Sequence, residues 1–321
     1  MTDRPEFDDA AVLAARGAKN TVDPMQPWHV LIEPELTADG TLEDVGTIFL
    51  TNRECPIRCV MCDLWKNTTA EIVPAGAIPA QISFALPQLK TAKHLKLYNS
   101  GNFFDPQAIP PADLSRIADM VNGFRTVIVE NHPRMCGDAC VRFAGEYDGQ
   151  LEVAMGLETS HEPTLRWLNK RMTLQDFSRA CEFLMAHDIR VRTFVLLRPP
   201  DTSEADGIRR ALDSLRFAFD LGVSCCTVIP TRSGNGLMDQ LQKFGRFSMP
   251  EVASLETVLE EAISWRRGRV FGDVWDMDLF PACSHCRATR LDRIHHMNLT
   301  QTLPPPVRCD RCSTLSEFPD G

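Results

Sequence analysis

The chain has 321 residues, 44% of them hydrophobic and 24% charged, which are the proportions of a globular protein. It contains no apolar run of about 18 residues and no basic-then-apolar start, so we expect a cytoplasmic protein without a membrane span or signal peptide. The net charge of −9 argues against a broad basic surface for nucleic acid, although 34 lysines and arginines allow a local patch.

The pattern divides the chain into three regions. Residues 1–44 are acidic and proline-containing with little periodicity, and are predicted to form an N-terminal extension that either packs or stays partly loose. Residues 45–246 alternate short apolar runs with amphipathic segments and are predicted to form the core domain. Residues 247–321 contain one predicted helix, 249–265, followed by a cysteine-rich metal-binding region.

Six strand–helix units are predicted in the core, which indicates an α/β fold with a parallel sheet. Six units make an incomplete, splayed (β/α)6 barrel, and the two further repeats of a closed barrel are not found. The predicted strands are 46–51, 94–99, 126–131, 151–157, 190–197 and 223–229, and the helices between them lie near 79–92, 111–123, 136–146, 173–187 and 203–221.

Three cysteines follow the first predicted strand in a C-x3-C-x2-C run, namely Cys55, Cys59 and Cys62. Three thiolates on a tight loop can hold a [4Fe–4S] cube by three irons, which leaves the fourth iron open to a small molecule. Two other interpretations are three unliganded thiols and a zinc knuckle that takes a fourth ligand from elsewhere.

Polar side chains follow the next three predicted strands, where ligands gather in parallel α/β folds. Those after the third strand suit a polar or anionic substrate, or form a solvated loop with an ion pair. Those after the fourth strand suit a ribose diol, or cap the next helix. The three groups are Asn99, Ser100 and Gly101; Glu130, His132 and Arg134; and Glu158, Thr159 and Ser160.

The cysteine run at the end of a first strand resembles the radical S-adenosylmethionine (SAM) superfamily. Further segments are similar to the group that contains the elongator catalytic subunit and, more closely, the radical subunit of archaeosine synthase. They are Asn-Ser-Gly-Asn-Phe-Phe-Asp-Pro, Val-Glu-Asn-His-Pro-Arg, Gly-Leu-Glu-Thr-Ser, Leu-Asn-Lys-Arg-Met-Thr and Leu-Leu-Arg-Pro-Pro, which begin at residues 99, 129, 156, 168 and 196.

The resemblance implies a partial (β/α)6 barrel and a cluster on the three cysteines, with SAM chelating the open iron. An electron from the cluster would then break the sulfonium bond and yield a 5′-deoxyadenosyl radical, which abstracts hydrogen from the substrate. Residues 99–101 stand where the superfamily has a Gly-Gly-Glu-like segment for the methionine amino group, without its carboxylate. Residues 158–160 would contact the ribose, and Met61 replaces an aromatic residue that packs on adenine. Glu130, His132 and Arg134 would face the substrate.

The substrate is left open between a tRNA base, which the archaeosine resemblance implies, and a small metabolite. A catalytically silent zinc scaffold or nucleic-acid-binding module is a further alternative. An electron donor such as flavodoxin or ferredoxin is the expected partner, and Arg53, Arg58 and Lys66 near the cluster loop are candidates for docking it or are solvated surface cations.

Two C-x2-C pairs separated by 22 residues, Cys283 with Cys286 and Cys309 with Cys312, predict a second metal site. Four thiolates suit either zinc or an additional [4Fe–4S] cluster. Because this polar segment is too short to bury much core, we expect a metal to supply its folding free energy.

Overall fold

An eight-stranded sheet organises the protein. The computed structural model describes residues 7–312. The strands are β1 His29–Leu36, β2 Leu42–Phe49, β3 His94–Tyr98, β4 Thr126–Glu130, β5 Gln150–Glu158, β6 Arg190–Leu197, β7 Cys225–Pro230 and β8 Arg269–Gly272. They lie side by side in chain order, with β2 to β8 parallel and β1 antiparallel to β2.

Helices cover the outer face of this curved sheet. They are α1 Asp9–Ala14, α2 Ala77–Ala85, α3 Leu114–Val121, α4 Asp138–Glu146, α5 Glu162–Trp167, α6 Leu174–Met185, α7 Glu204–Asp220, α8 Leu237–Lys243, α9 Val252–Ser264 and α10 Arg287–Thr300. Alternate strand residues such as Leu97, Val129 and Val153 are fully buried in a main apolar core under most of these helices, whereas α1 and α8 pack in a second cluster. Of these described helices, none has the length and apolarity to cross a membrane.

The inner face of the sheet is polar at its base. Arg192 on β6 contacts Glu35 on β1 at 2.6 Å and Glu152 on β5 at 2.5 Å, and Lys96 on β3 also contacts Glu35 at 2.6 Å. Although burial raises the pKa of Glu35, Arg192 and Lys96 together hold it well below its usual range. This network lines the amino end of the barrel with paired charges.

The predicted partial barrel is confirmed, with all six predicted strands present in the sheet. Two further strands were not predicted. β1 lies in the predicted N-terminal extension, where Glu33, Pro34 and Glu35 break the apolar pattern of an edge strand. β8 has four residues, too few to reveal a period.

The expectation that the cysteine-rich region buries little core was wrong. Helix α10 packs fully buried Ile294 and Met297 into the main core. It also blocks the open edge of β8, because the amide of Asn298 pairs with the backbone of Gly272, and that of Gln301 with Val270. These side chains take the place of a next strand and leave the edge closed to other chains.

Candidate active site at the carboxyl end of the barrel

Cys55, Cys59 and Cys62 lie on one loop directly beyond the carboxyl end of β2. The Ile57 N–H donates to Cys55 Sγ at 3.4 Å, and Asn102 Nδ2 donates to the same sulfur at 3.3 Å. Burial raises the pKa of Cys59 to about 12 and raises the pKa of Cys55 as well. Thiolates at this place therefore require a neighbouring positive charge, which a metal centre supplies.

Loops from across the barrel hold the cysteine loop in place. The Val60 N–H donates to Leu168 O at 2.9 Å, and Asn169 Nδ2 donates to Arg58 O at 2.8 Å. From beyond β7, Asn235 Nδ2 donates to Val60 O at 2.8 Å and to Cys62 O at 3.1 Å. The cysteine loop is thus fixed by contacts distant in sequence and not by its own turn alone.

The described part of the N-terminal extension packs on the same loop. Glu54, which precedes Cys55, accepts from Arg16 at 2.5 Å, Lys19 at 2.8 Å and Arg58 at 2.8 Å. Of the two arrangements expected for this extension, residues 7–28 adopt the packed one.

The sulfurs of Cys55, Cys59 and Cys62 do not all lie within 4.8 Å of one another. Among residues 7–312, the one group of three or more histidine, cysteine or acidic ligand atoms that all lie within 4.8 Å of one another is at the C-terminal cysteines. Thiolates bound to separate irons of a cube lie farther apart than ligands of one zinc ion. The spacing therefore favours the cluster interpretation over the zinc knuckle.

Glu130 lies against the segment that follows β3. Its Oε2 accepts from the Asn99 N–H at 3.2 Å, and the Ser100 N–H also donates to this carboxyl group. Burial raises the pKa of Glu130 to about 7, against the opposing effect of these two N–H groups. Ser100 has a φ of 51°, in the left-handed region, which turns the chain towards Gly101 and Cys55.

Several buried polar atoms beside these residues are unpaired. Both side-chain polar atoms of Asn99 lack a hydrogen-bond partner among the described residues, as do Thr51 Oγ1 and Asn52 Oδ1. Buried polar groups are nearly always hydrogen-bonded, so unpaired ones at a strand end are typical of a site that receives a polar ligand. The residues present therefore fit a ligand such as SAM.

Glu158 and Lys170 form a buried ion pair at the end of β5, with Lys170 Nζ 2.6 Å from Glu158 Oε1. Although burial lowers the pKa of Lys170, Glu158 and the nearby Cys59 and Cys55 raise it above its usual range. Gly156 makes room for the pair, because a Cβ there would lie 2.2 Å from Glu158 Oε1 and 2.5 Å from Lys170 Nζ.

Thr159 and Ser160, which follow Glu158, form hydrogen bonds with His161 and Ser214. Thr159 Oγ1 accepts from the His161 N–H at 3.2 Å, while the Ser160 N–H donates to Ser214 on α7 at 2.8 Å. The alternative that they cap the next helix is wrong, because the N-cap of α5 is His161. Met61 lies partly buried against a second apolar cluster that includes Val60, Trp167 and Leu168.

His132 and Arg134 hold a neighbouring loop. His132 Nδ1 accepts from the Arg134 N–H at 3.2 Å, so its Nε2–H donates to Lys170 O at 2.9 Å. Burial lowers the pKa of His132 to about 4, so the ring is neutral at pH 7. Arg134 Nη1 donates to Arg171 O at 3.0 Å. Both side chains thus support the backbone at Lys170 and Arg171.

Sequence reasoning did not select four of the residues that build this site. Lys170 lies within one of the segments that carried the family resemblance, and that resemblance could have pointed to Lys170 as a site residue. It is flanked by left-handed residues, Asn169 with a φ of 53° and Arg171 with a φ of 55°. Asn102 and Asn169 also lie within segments that carried the resemblance, whereas Asn235 is an isolated asparagine without such a signal.

The four C-terminal cysteines gather into a second site. Cys283 Sγ lies 3.9 Å from Cys309 Sγ, and Cys286 Sγ lies 3.6 Å from Cys312 Sγ. Arg290 on α10 donates through Nε to Cys286 Sγ at 3.2 Å and pairs with Glu256 on α9. The backbone N–H of Arg311, with further donors at Cys312 and Cys286, lowers the pKa of Cys309 to about 6.

Comparison with known proteins gives distant relatives. No protein-family model matches the chain. An uncharacterised protein of Methanocaldococcus jannaschii is 23% identical over 74% of this chain and 70% of its own length. Archaeosine synthase subunit beta of Methanosarcina acetivorans is 27% identical over 64% of this chain and 61% of its own length. Among solved structures, methylornithine synthase is 15% identical over 69% of this chain and 64% of that chain, with a TM-score of 0.49.

The resemblance to archaeosine synthase is confirmed by the similarity to the Methanosarcina subunit beta. The matched part of this chain spans less than two thirds of the Methanosarcina subunit.

Proposed function

We propose that this protein is a radical SAM enzyme. The observation that carries the proposal is the loop of three separated thiols at the carboxyl end of β2, one buried and two partly buried, supported by contacts from loops after β5 and β7. When bound, a [4Fe–4S] cluster supplies the electron that cleaves SAM reductively, and the resulting radical abstracts hydrogen from the substrate.

The chain's own residues divide the binding tasks. Cys55, Cys59 and Cys62 hold the cluster and leave one iron open. Glu130 supplies the carboxylate that the segment 99–101 lacks, because that segment's N–H groups hold it in place. Glu158 and Lys170 offer an acceptor for a ribose hydroxyl and a donor for a carboxylate. His132 and Arg134 position the loop of Lys170.

The test is anaerobic reconstitution with iron and sulfide, followed by addition of SAM and dithionite. We expect an electron paramagnetic resonance signal of a reduced [4Fe–4S] cluster that changes on SAM binding, and formation of 5′-deoxyadenosine. Absence of the cluster signal, with zinc as the bound metal, would instead support a silent scaffold or a nucleic-acid-binding module.

For the substrate, we propose a modified base of tRNA, because the sequence is similar to archaeosine synthase subunit beta. Nucleosides from tRNA of a deletion strain, separated by liquid chromatography and mass spectrometry, should contain an accumulated precursor. Unchanged tRNA together with an accumulated small metabolite would favour the alternative substrate.

The electron donor is proposed to be a flavodoxin or ferredoxin that binds near the cysteine loop. Arg58 is already paired with Glu54, whereas Lys66 donates to Gly234 O and Arg53 to Gln107. Arg53 and Lys66 are therefore the better test positions. Their replacement by glutamate should slow reduction by the protein donor but leave reduction by dithionite unchanged, and equal rates with both would contradict the proposal.

The C-terminal site is proposed to bind one zinc ion. Tetrahedral zinc with bonds of about 2.3 Å places its sulfurs about 3.8 Å apart, close to the observed 3.6 and 3.9 Å. Elemental analysis of protein with Cys55, Cys59 and Cys62 replaced by alanine should give one zinc and no iron. Four irons in that protein would identify a second cluster instead.

A further inference from the structure

The upper half of the barrel interior, the chamber, is lined by aromatic rings. Phe49, Tyr98 and Phe194 point inwards near the carboxyl ends of their strands, and each is only partly buried. Their outward neighbours, such as Ile48 and Leu97, are fully buried under helices. The inward rings are therefore exposed to the interior of the barrel and not to a packed core.

Tyr98 and Phe194 form the floor of this chamber. Their ring centroids lie 6.4 Å apart, edge to face, although they come from opposite sides of the barrel. Arg192, two residues before Phe194, belongs to the ionic network below. The floor rings therefore separate the paired charges at the base from the space above.

The floor also borders the proposed SAM site. Tyr98 directly precedes Asn99, and Phe194 pairs in register with Gly156, which makes room for Glu158 and Lys170. Residues proposed to hold SAM and residues of the chamber thus share the same strand ends.

A wall of rings rises from this floor towards solvent. Phe49 lies 6.2 Å from Tyr98, 4.8 Å from Trp28 and 6.0 Å from Trp275. Trp275, which follows β8, also lies 6.3 Å from His29 on β1 and is 41% exposed. The rings therefore continue from the barrel interior to the surface where β8 faces β1.

Polar groups stand beside the outer end of this wall. Asp273 is the next inward-facing residue after Phe271 on β8, and its carboxylate accepts from the Trp275 N–H at 3.0 Å. Arg232 Nη2 lies 2.6 Å from the same carboxylate. Arg232 Nη1 also lies 3.1 Å from Asp276. A carboxylate acceptor and a guanidinium donor, paired with each other, thus lie beside Trp275.

We propose that the rings of Trp28, Phe49 and Trp275, with the floor of Tyr98 and Phe194, bind a planar heteroaromatic group of the substrate. The proposal rests on the proposed function, since it places the substrate beside the SAM site. Partly exposed ring faces and edges can contact the flat surface of a heterocycle. Every nucleobase has a π-face and can stack on aromatic side chains in this way. Asp273 and Arg232 would pair with polar atoms on the ring edge.

The test measures binding of guanosine, adenosine, cytidine and uridine by saturation-transfer nuclear magnetic resonance. The reconstituted protein is first saturated with SAM, so that a nucleoside cannot bind at the proposed SAM site. We expect saturable binding of at least one nucleoside and none of ribose. Trp275→Ala should weaken that binding about tenfold, Trp275→Phe should restore most of it, and Trp265→Ala on the outer surface at α9 should leave it unchanged.

Two outcomes would overturn this inference. One is that none of the four nucleosides binds saturably, and the other is that Trp275→Ala binds as the wild type does. After addition of dithionite, the 5′-deoxyadenosine that forms without substrate is measured in the same samples. Absence of 5′-deoxyadenosine with the wild type would count against the proposed function. Its formation without any nucleoside binding would count against the aromatic wall alone.

Discussion

The two cysteine sites of this protein differ in how many thiols they contain and in what surrounds them. The N-terminal loop presents three separated thiols next to unpaired buried groups of Thr51, Asn52 and Asn99. The C-terminal site brings four thiols together, with Arg290 and Glu256 filling its side. An incomplete donor set beside unpaired polar groups is typical of a reactive centre, whereas a complete tetrahedron is typical of a structural one.

The two sites also differ in which structural elements they connect. Loops after β5 and β7 and the N-terminal segment converge on the first site, so its geometry depends on the whole barrel. The second site is tied through Arg290 to α9 and lies at the start of α10, which blocks the edge of β8. Loss of the first site should therefore abolish catalysis, and loss of the second site should destabilise the fold.

The largest effect should come from Cys59→Ala. Removing one of three thiols leaves the cube without one of its anchors, so we expect no reduced-cluster signal and a loss of SAM cleavage beyond about a thousandfold. Zinc content and the melting temperature should change little. The matched control is Cys286→Ser, which should retain SAM cleavage, and equal loss of cleavage in both variants would remove the distinction between the sites.

Cys286→Ser should give the largest loss of stability. Because metal binding at a structural site contributes folding free energy, we expect loss of zinc and a fall in melting temperature of at least about 5 °C, measured by calorimetry. His285→Ala changes a residue between the two cysteines and should keep both zinc and stability. If a zinc-free Cys286→Ser protein has the melting temperature of the wild type, α10 keeps its place in the fold without the metal.

Gly156→Ala should disturb SAM binding without unfolding the barrel. The added Cβ would lie 2.2 Å from Glu158 Oε1 and displace the ion pair with Lys170. We expect SAM affinity, measured by calorimetry on the reconstituted protein, to fall at least about tenfold, because misplaced binding groups lose contacts worth 1.4 kcal/mol or more. Gly123→Ala, where no atom lies within 4 Å of the new Cβ, is the control. Unchanged affinity in Gly156→Ala would separate the ion pair from SAM binding.

The smallest effect concerns the pH dependence of stability at the first site. His132 has a pKa of about 4 in the folded protein, below its ordinary value of 6.5, because burial disfavours the charged ring. The unfolded chain therefore takes up a proton first, and stability is lost as pH falls from about 6.5 to about 4. This one group contributes at most about 1.4 kcal/mol per pH unit.

Chemical denaturation at several pH values compares the wild type with His132→Gln, which cannot titrate. We expect a shallower fall in the free energy of unfolding for the variant between pH 6.5 and 4. Parallel slopes would show that His132 titrates normally. The matched variant His187→Gln changes an exposed histidine just after α6 and controls for the loss of a histidine as such.

The sequence by itself determined the alternation of strands and helices, the three-thiol loop and the pairing of the C-terminal cysteines. Each of these is written in a short stretch, as a period of apolar residues or a fixed cysteine spacing.

Tertiary structure alone decided which groups complete the first site. Glu130 accepts from Asn99 across 31 positions, and Asn235 holds Cys62 across 173. Likewise, α10 closes the edge of β8 through Asn298 and Gln301. Such contacts join residues that are distant in the chain, and they form because parallel strands bring their carboxyl ends together, which no local pattern of residues records.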